Sequence, residues 1–523
     1  MIQYRENSAA DGANTVFHDK ILRILLMGSG LLTMALALPG LCSASPETFF
    51  SRPDTAGYLA PAQALAAGKW FGGYLERAPG FPVLLAGIYR HALLAETVFA
   101  LIGVLSAVPV YLAAKRYGGR KAALWAAALF SFHPTVLANR PLWLSDTLFG
   151  FFAAWQMYFL LEFLAEKRMR DGFAAVTVAA FGALVRPINV AWIFPALFIL
   201  AVLPGISVRK KCLAAIAGLL LFAAILFPWE YRNARLGAGY CIDTNTGAMY
   251  HQNGAMILAA VHQSSFEEEK ARILKNLENE FADTARYPDV RSKTSYRLAR
   301  FRELIFAHPG IWIRQHFRPH VLIPDAATLC ENLGLTQSGR GTLDVMHRKG
   351  VPAAVMHYFD GRWYIPLLLF PFLIPVLLLT AGVFRELWEL LKQYRTSYPW
   401  LLAVLACAEY YFFLPGPITV PRYQIPALPV LCVLAGAGLL RNSIGLFGML
   451  AALGILALPV LRLAMRCLLY KAAAAMLSTA AGGRIGKLMG AIGTAYGMVL
   501  GLVGTEAVIL FLSVYSLLRT VSG

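Results

Sequence analysis

The chain has 523 residues, of which 58% are hydrophobic and only 15% charged, with a mean hydropathy of +0.58. That usage excludes an ordinary soluble globular domain and indicates a polytopic membrane protein. The formal net charge of +18 would suggest a nucleic-acid partner in a soluble protein, so the placement of the cations has to decide.

The first apolar run, Ile21 to Leu41, is long enough to cross about 30 Å of hydrocarbon. CSASPE at 42–47 imitates a signal-peptide cleavage site, but the many later spans favour a retained first helix. Three basic clusters fall between later apolar runs: Lys115, Arg116, Arg120 and Lys121; Lys167, Arg168 and Arg170; and Arg209, Lys210 and Lys211. Counted from a cytoplasmic N-terminus carrying Arg5, Lys20 and Arg23, all three lie on the inner side. The positive balance thus records topology, and nucleic acid is set aside as a partner.

Spans are expected at 21–41, 93–114, 121–138, 144–165, 173–187, 188–204, 212–229, 364–384, 399–415 and 421–440, with further apolar segments beyond. Runs of this length and uniformity predict helices, not barrel strands, so the fold class is all-α. The expected organisation is a cytoplasmic N-terminus (1–20), a transmembrane module (21–229) with a first extracytoplasmic loop (42–92), and an extracytoplasmic loop domain (230–362). Further transmembrane helices (363–441) and a membrane tail (442–523) follow. The expected location is the cell membrane.

Within the large loop, FEEEKARILKNLENEF (266–281) places Phe266, Ile273, Leu274, Leu277 and Phe281 on one helical stripe. SYRLARFRELIFAHPGIWIRQHF (295–317) predicts a helix broken near Pro309 and then a second one. Both are expected to lie on the membrane face. Cys42, Cys241 and Cys330 fall outside by the same count. Cys241 and Cys330 could bridge, isolated thiols being the simpler reading, and no cysteine spacing suggests a metal site.

The chemistry gathers at one end of the spans. Asp54, Glu76 and Arg77 sit in the first loop, and Arg186, Arg232 and Arg422 each stand at the outer end of an expected span, as does Asp146. One arginine at an interface commonly snorkels to lipid headgroups. Four on the same face as the carboxylates suit a phosphate held by guanidinium forks, with a carboxylate taking a proton from an incoming hydroxyl. A sugar carried on a lipid phosphate fits this kit. Its leaving group departs as an anion, so cations stabilise it and no general acid is needed. Glycoside hydrolases need two carboxylates because their leaving group must be protonated. Direct displacement would invert the anomeric centre.

Several short segments then resemble a family in order along the chain: DTAGYLAPAQALAAG (54–68), RAPGFPVLLA (77–86), LWLSDTLFG (142–150), LVRP (184–187), FPWEYRN (227–233), DTNTGAMYHQN (243–253) and PRYQIPALPVL (421–431). Residues from about 20 to 440 look like the membrane glycosyltransferases of the GT-C fold, in particular bacterial relatives of protein O-mannosyltransferases and of the aminoarabinose transferase that modifies lipid A. The resemblance implies a GT-C type helical bundle with a helical loop domain outside. It implies Asp54 as the catalytic base and Arg77 at donor phosphate. Arg186, Arg232 and Arg422 would bind phosphate or anchor loops, while Asp146 or Glu76 would serve as a second acid that orients the acceptor. The implied donor is a polyprenyl-phosphate-linked sugar, with membrane lipid around it and an unidentified glycan, lipid or protein as acceptor.

No cofactor is assigned. A divalent metal stays open because Glu76 and His251 could meet in space, but no ligand set is assigned, and Thr55 stands where some relatives carry a second adjacent acid.

The end of the chain departs from that family. Gly493, Gly497 and Gly501 recur every four residues, and Glu506 lies in an apolar run. Residues 442–523 look like the C-terminal membrane region of stage III sporulation protein AE, a component of a channel complex, which would make the chain either a natural fusion or a joined gene model with its seam near Leu440 to Ser443. A non-enzymatic channel or assembly component is therefore the alternative function. A transporter is weaker, because the ionisable residues gather at one face and not at the midplane.

Overall fold

The computed structural model describes residues 19–316, 324–336, 342–362, 364–392, 421–441 and 485–500, with six further positions between 463 and 474. The chain divides into two compact units, Met1–Gly438 and Leu439–Gly523. The described regular elements are helices, and several are long and apolar enough to cross a membrane, among them Lys20–Leu41, Asp146–Glu166 and Val208–Arg235. The all-α polytopic class follows. The expected span at 399–415, together with Arg5, Gly501 and Glu506, lies outside the described residues.

Helix Lys20–Leu41 starts on the Asp19 carboxylate, which accepts from the backbone N–H groups of Ile21 and Leu22 at 3.1 and 3.3 Å. One face (Leu22, Leu26, Ser29, Thr33, Leu36, Ala37, Gly40) is buried, while Ile24, Met27, Leu31 and Leu38 point outward. An apolar outward face on a helix this long is what lipid demands.

Two spans pack against this helix and turn back at a single glycine. Gly30 approaches Val104, and the Tyr111 hydroxyl reaches Asp19 at 3.0 Å, so the chain descends along the helix from Val104. Arg120 then grips Asp19 at 2.7 Å, and Ser29 donates to the Ser131 carbonyl at 3.2 Å, so it climbs again. Between them Gly119 adopts φ 80°, ψ −177°, a left-handed-side conformation that favours glycine, inside what is otherwise the continuous helix Ala107–Ser131. The basic cluster read from the sequence flanks this reversal.

Boundaries differ from expectation in places. The run at 93–114 is interrupted at Ser106, between helices Ala92–Leu105 and Ala107–Ser131. The run at 121–138 ends at Ser131, because Pro134 opens a separate short helix, Pro134–Asn139. Helix Val208–Arg235 continues through the WEYRN motif, so Glu230 to Arg235 are not loop residues. Asn233 and Trp229 hold it there: Asn233 Nδ2 donates to the carbonyls of Cys241 and Ile242, and Trp229 Nε1 donates to Ile242 O at 2.8 Å.

In the large loop, helix Phe266–Glu280 buries Ile273 and Leu277 against Ala255, with Phe266 and Phe281 beside them. Leu274 is exposed, being one residue and so about 100° round from Ile273. Helix Val290–Ala307 begins on a capping box at Asp289 and gives way at His308 to helix Pro309–His316, which matches the expected break. Cys241 and Cys330 are both free, so the bridge between them is not formed.

The second unit is described mainly by helix Ile485–Leu500, where Tyr496 stacks on Tyr470 with ring centroids 5.2 Å apart. Gly493 and Gly497 lie on this helix.

The core that carries the site is built where the first loop packs on the bundle. Short helices Thr55–Ala66 and Gly80–Ile88 contribute Tyr58, Phe81 and Leu85, which bury against Phe99, Trp143, Phe149 and Val185. Phe81 stands edge-on to Tyr58 and stacks on Phe99, at centroid separations of 5.1 and 6.0 Å. A Cβ at Gly80 would lie 2.9 Å from the Leu184 carbonyl, so only glycine lets this helix approach the segment leading to Arg186.

Candidate active site

Asp54 stands at the N-terminus of helix Thr55–Ala66, and its placement is local before it is electrostatic. The Thr55 hydroxyl donates to the Trp143 carbonyl at 3.1 Å, and the hydroxyls of Tyr58 and Ser145 share a hydrogen bond of 3.0 Å. These two bonds tie the first loop to the residues just before helix Asp146–Glu166. Asp54 and Asp146 are thereby brought to one place.

Arginines from three elements converge on them. Arg77 Nη2 donates to Asp54 Oδ1 at 3.0 Å, and Arg422 Nη2 donates to Asp54 Oδ2 at 2.8 Å. Arg186 Nη1 donates to Asp146 Oδ1 at 2.8 Å, and Arg422 Nε lies 3.9 Å from Asp146 Oδ2, so Arg422 faces both acids. Burial alone would raise the Asp54 carboxyl, but Arg422 and Arg77 outweigh it and hold it below the usual carboxylate range. Asp146 is almost fully buried, whereas the Asp54 side chain is 44% exposed and therefore reachable from outside.

Each arginine is positioned by its neighbours. Arg77 lies over the Tyr58 ring at 4.8 Å and passes Gly57 so closely that a Cβ there would come within 2.8 Å of its Nε. Arg186 ends helix Met169–Val185 in an extended conformation and packs over the rings of Phe149 and Tyr423. The turn after it is fixed by buried Asn189, whose Nδ2 donates to Gln156 Oε1 and to the Ala179 carbonyl, both at 2.9 Å. Arg422 sits on the 3-10 turn Pro421–Gln424 that precedes helix Leu428–Arg441.

The other candidates lie elsewhere. Arg232 donates to the Tyr74 carbonyl at 3.0 Å and packs over Trp229 and Phe71, so it holds the first loop and touches neither acid. Glu76 is exposed and interacts electrostatically with Arg297, and it is not among the groups that act on Asp54. His251 lies among the cations Arg297 and Lys270, which together with burial lower its pKa. Among the described residues, no three His, Cys, Asp or Glu side chains gather as metal ligands.

Two residues not singled out in the sequence border the site. Asp243, from the DTNTGAMYHQN segment, is buried beside Arg77; burial pushes its carboxyl up to about 6 although Thr246 and Arg77 oppose this. The adjoining Thr244 N–H donates to the Leu75 carbonyl at 3.0 Å, which docks this segment on the first loop. Arg52, two residues ahead of Asp54, donates to Asn332 Oδ1 at 3.1 Å. Asn332 in turn donates to the Ala138 carbonyl at 2.7 Å, and Asn139 donates to Asp325 Oδ2 at 3.0 Å, so residues 325–332 wall the site. An apolar cavity of about 60 Å³ lined by Leu160, Phe163, Trp192 and Gly218 lies toward the opposite end of helix Asp146–Glu166 and contributes nothing to this cluster.

Residues 86–231 match the family described as dolichyl-phosphate-mannose-protein mannosyltransferase, and residues 429–520 match stage III sporulation protein AE. Asp146 and Arg186 fall inside the first segment; Asp54, Arg77 and Arg422 fall outside both. No curated protein matches the chain. Among solved structures it is similar to the Archaeoglobus fulgidus oligosaccharyltransferase in its apo form, at 13% identity and a TM-score of 0.43, over 97% of this chain and 56% of that one. The chain thus spans little more than half the length of that relative. It is also similar to ArnT from Cupriavidus metallidurans in the apo state, at 17% identity and a TM-score of 0.40, over 92% and 77% of the two chains. The same ArnT bound to undecaprenyl phosphate aligns at 16% identity and a TM-score of 0.34, over 91% and 77%. The class is that of helical multi-pass membrane proteins with a segment that matches the mannosyltransferase family. Within that class, this chain couples a mannosyltransferase-like segment to a sporulation-protein-like tail.

Proposed function

We propose that the protein is an extracytoplasmic membrane glycosyltransferase that moves a hexosyl or pentosyl group from a polyprenyl-phosphate donor to an acceptor hydroxyl, with inversion. The observation that carries the proposal is Asp54, an accessible carboxylate held between Arg77 and Arg422. A phosphodiester docks on the guanidinium groups of Arg77 and Arg422, which offer planar donor forks. Arg186 stays paired with Asp146 beside the phosphate. The acceptor oxygen, losing its proton to Asp54, bonds to the anomeric carbon as the bond from that carbon to the phosphate oxygen breaks. The phosphate leaves as a monoester carrying the bonding pair, so no second acid is required. The matched family's name, with its dolichyl-phosphate-mannose donor, supports a sugar carried on a lipid phosphate.

The test is transfer of a radiolabelled sugar from a synthetic polyprenyl-phosphate donor to membrane extract by the purified full chain. Asp54→Asn should reduce transfer by roughly a thousandfold while the protein still elutes as a folded, monodisperse species, consistent with loss of a general base and its positioning. Full transfer by that variant would remove Asp54 from the chemistry.

A second reading rests on the tail. The match at 429–520 supports a role in a membrane channel assembly, either beside or in place of catalysis. A chain ending at residue 441 separates the two: retained transfer assigns chemistry to the first unit, and lost assembly with retained transfer assigns the tail a role of its own.

A further inference from the structure

We infer that the donor phosphate itself switches on the base, because Asp54 and the phosphate compete for the same two arginines. The inference rests on the function proposed above and deepens it. Asp54 has both oxygens occupied, Oδ1 by Arg77 Nη2 at 3.0 Å and Oδ2 by Arg422 Nη2 at 2.8 Å. An oxygen held by a guanidinium is a poor acceptor for a hydroxyl proton. Their other acids are shared or offset: Arg422 stands 3.9 Å from Asp146, which Arg186 holds at 2.8 Å, and Asp243 lies buried beside Arg77. The Nε atoms of Arg77 and Arg422 are buried and have no hydrogen-bond partner. Each arginine thus commits an Nη2 N–H to Asp54 and leaves its Nε–H unused.

Charge gives the direction. Among the ion-paired groups Asp54 and Asp146 supply two negative charges and Arg77, Arg186 and Arg422 three positive ones, a surplus of one within that set, with Asp243 beside Arg77 as a further acid outside it. A donor phosphodiester carries one negative charge and cancels it. As the diester takes the free edges of Arg77 and Arg422, both guanidinium groups share their charge with it, and Asp54, whose side chain is 44% exposed, is released to turn outward toward an acceptor. The carboxylate then loses the two cations that held it acidic and becomes the stronger base. In the empty site it stays clamped and does not activate water. After transfer the proton rests on Asp54. When the monoester departs, the arginines return to the carboxylate and the proton leaves to solvent.

Linkage makes this testable without catalysis, since a carboxylate that loses its arginines to phosphate must weaken phosphate binding by the same factor. Undecaprenyl phosphate binding to the detergent-solubilised full chain is measured for wild type, Asp54→Asn and Glu47→Gln, with inorganic phosphate as a second probe. Glu47 is an exposed acid in the same loop and controls for the general field. Asp54→Asn is expected to bind undecaprenyl phosphate about tenfold more tightly than wild type, and Glu47→Gln to bind as wild type does. Because Asp54→Asn leaves two arginines without their partner, its melting temperature is followed as well. It should rise more on adding undecaprenyl phosphate than that of wild type, and Asp54→Ser should behave alike. Equal or weaker binding by both Asp54 variants overturns the switch. If transfer is lost in those variants but binding is not tightened, the switch fails and the glycosyltransferase stands. If transfer survives, the proposed function fails first.

Discussion

Arg422 donates to Asp54 at 2.8 Å across a separation of 368 residues, and its Nε faces Asp146 as well. A guanidinium can face two acids because its donors are fixed in a planar fork, whereas an ammonium is a point charge. Arg422→Lys should therefore lower transfer by on the order of a hundredfold, corresponding to about 2–3 kcal/mol for a lost charge-assisted hydrogen bond. Steady-state kinetics with labelled donor checks this. Undiminished transfer would show that charge suffices and that the fork geometry is irrelevant.

Gly57 is a second point of control. Its missing Cβ would sit 2.8 Å from Arg77 Nε, so Gly57→Ala pushes Arg77 off its place over Tyr58. Alanine favours the helix by up to about 1 kcal/mol, so the variant should melt no lower than wild type. Its KM for donor should nevertheless rise by roughly tenfold, or about 1.4 kcal/mol of ground-state binding. A lower melting temperature with unchanged KM would mean that Arg77 simply moves aside.

Asp243 makes stability depend on pH. Its carboxyl is raised from 3.8 in the free state to about 6 in the fold, chiefly by burial, so the folded chain binds the proton more tightly than the unfolded chain. Its contribution is fully present below the unfolded value and declines as pH rises through the folded one, by on the order of 3 kcal/mol in total. Asp243→Asn should abolish this decline. Melting temperatures of both proteins between about pH 4 and 7 decide it, and parallel curves would count against a raised Asp243.

Arg232 separates anchoring from phosphate binding. Arg232→Ala removes the bond to the Tyr74 carbonyl and the packing over Trp229, so residues 67–76 should be cut faster by protease. Undecaprenyl phosphate affinity should stay within about twofold of wild type, because Arg232 touches neither acid. A loss matching that of Arg422→Ala would place Arg232 on the phosphate instead.

The spans, the basic clusters beside Gly119 and the break near Pro309 were legible because they depend on local sequence: apolar length, charge placement and proline. The convergence of Asp54, Arg77, Asp146, Arg186 and Arg422 was legible only as a gathering at one end of the spans. Which arginine meets which acid depends on helix packing across hundreds of residues, and no local pattern records it. Arg232 illustrates the limit. It stands at a span end like the other arginines, but Asn233 and Trp229 turn that helix end toward Ile242 and leave Arg232 on the first loop. Glu76 is adjacent to Arg77 in sequence yet acts on Arg297 and not on Asp54. Asp243 escaped notice because burial, which raises its carboxyl, is a tertiary property.

The position of Arg422 also sets a timetable for biosynthesis. A growing chain completes Asp54, Arg77, Asp146 and Arg186 long before the ribosome reaches residue 422. Until then Asp54 has only Arg77 as a partner, and the guanidinium that faces both acids is missing. The last arginine arrives only once nearly the whole first unit has been made. Unfinished chains already in the membrane therefore lack the cluster's central arginine, and the cluster closes only at the end of the first unit's own assembly.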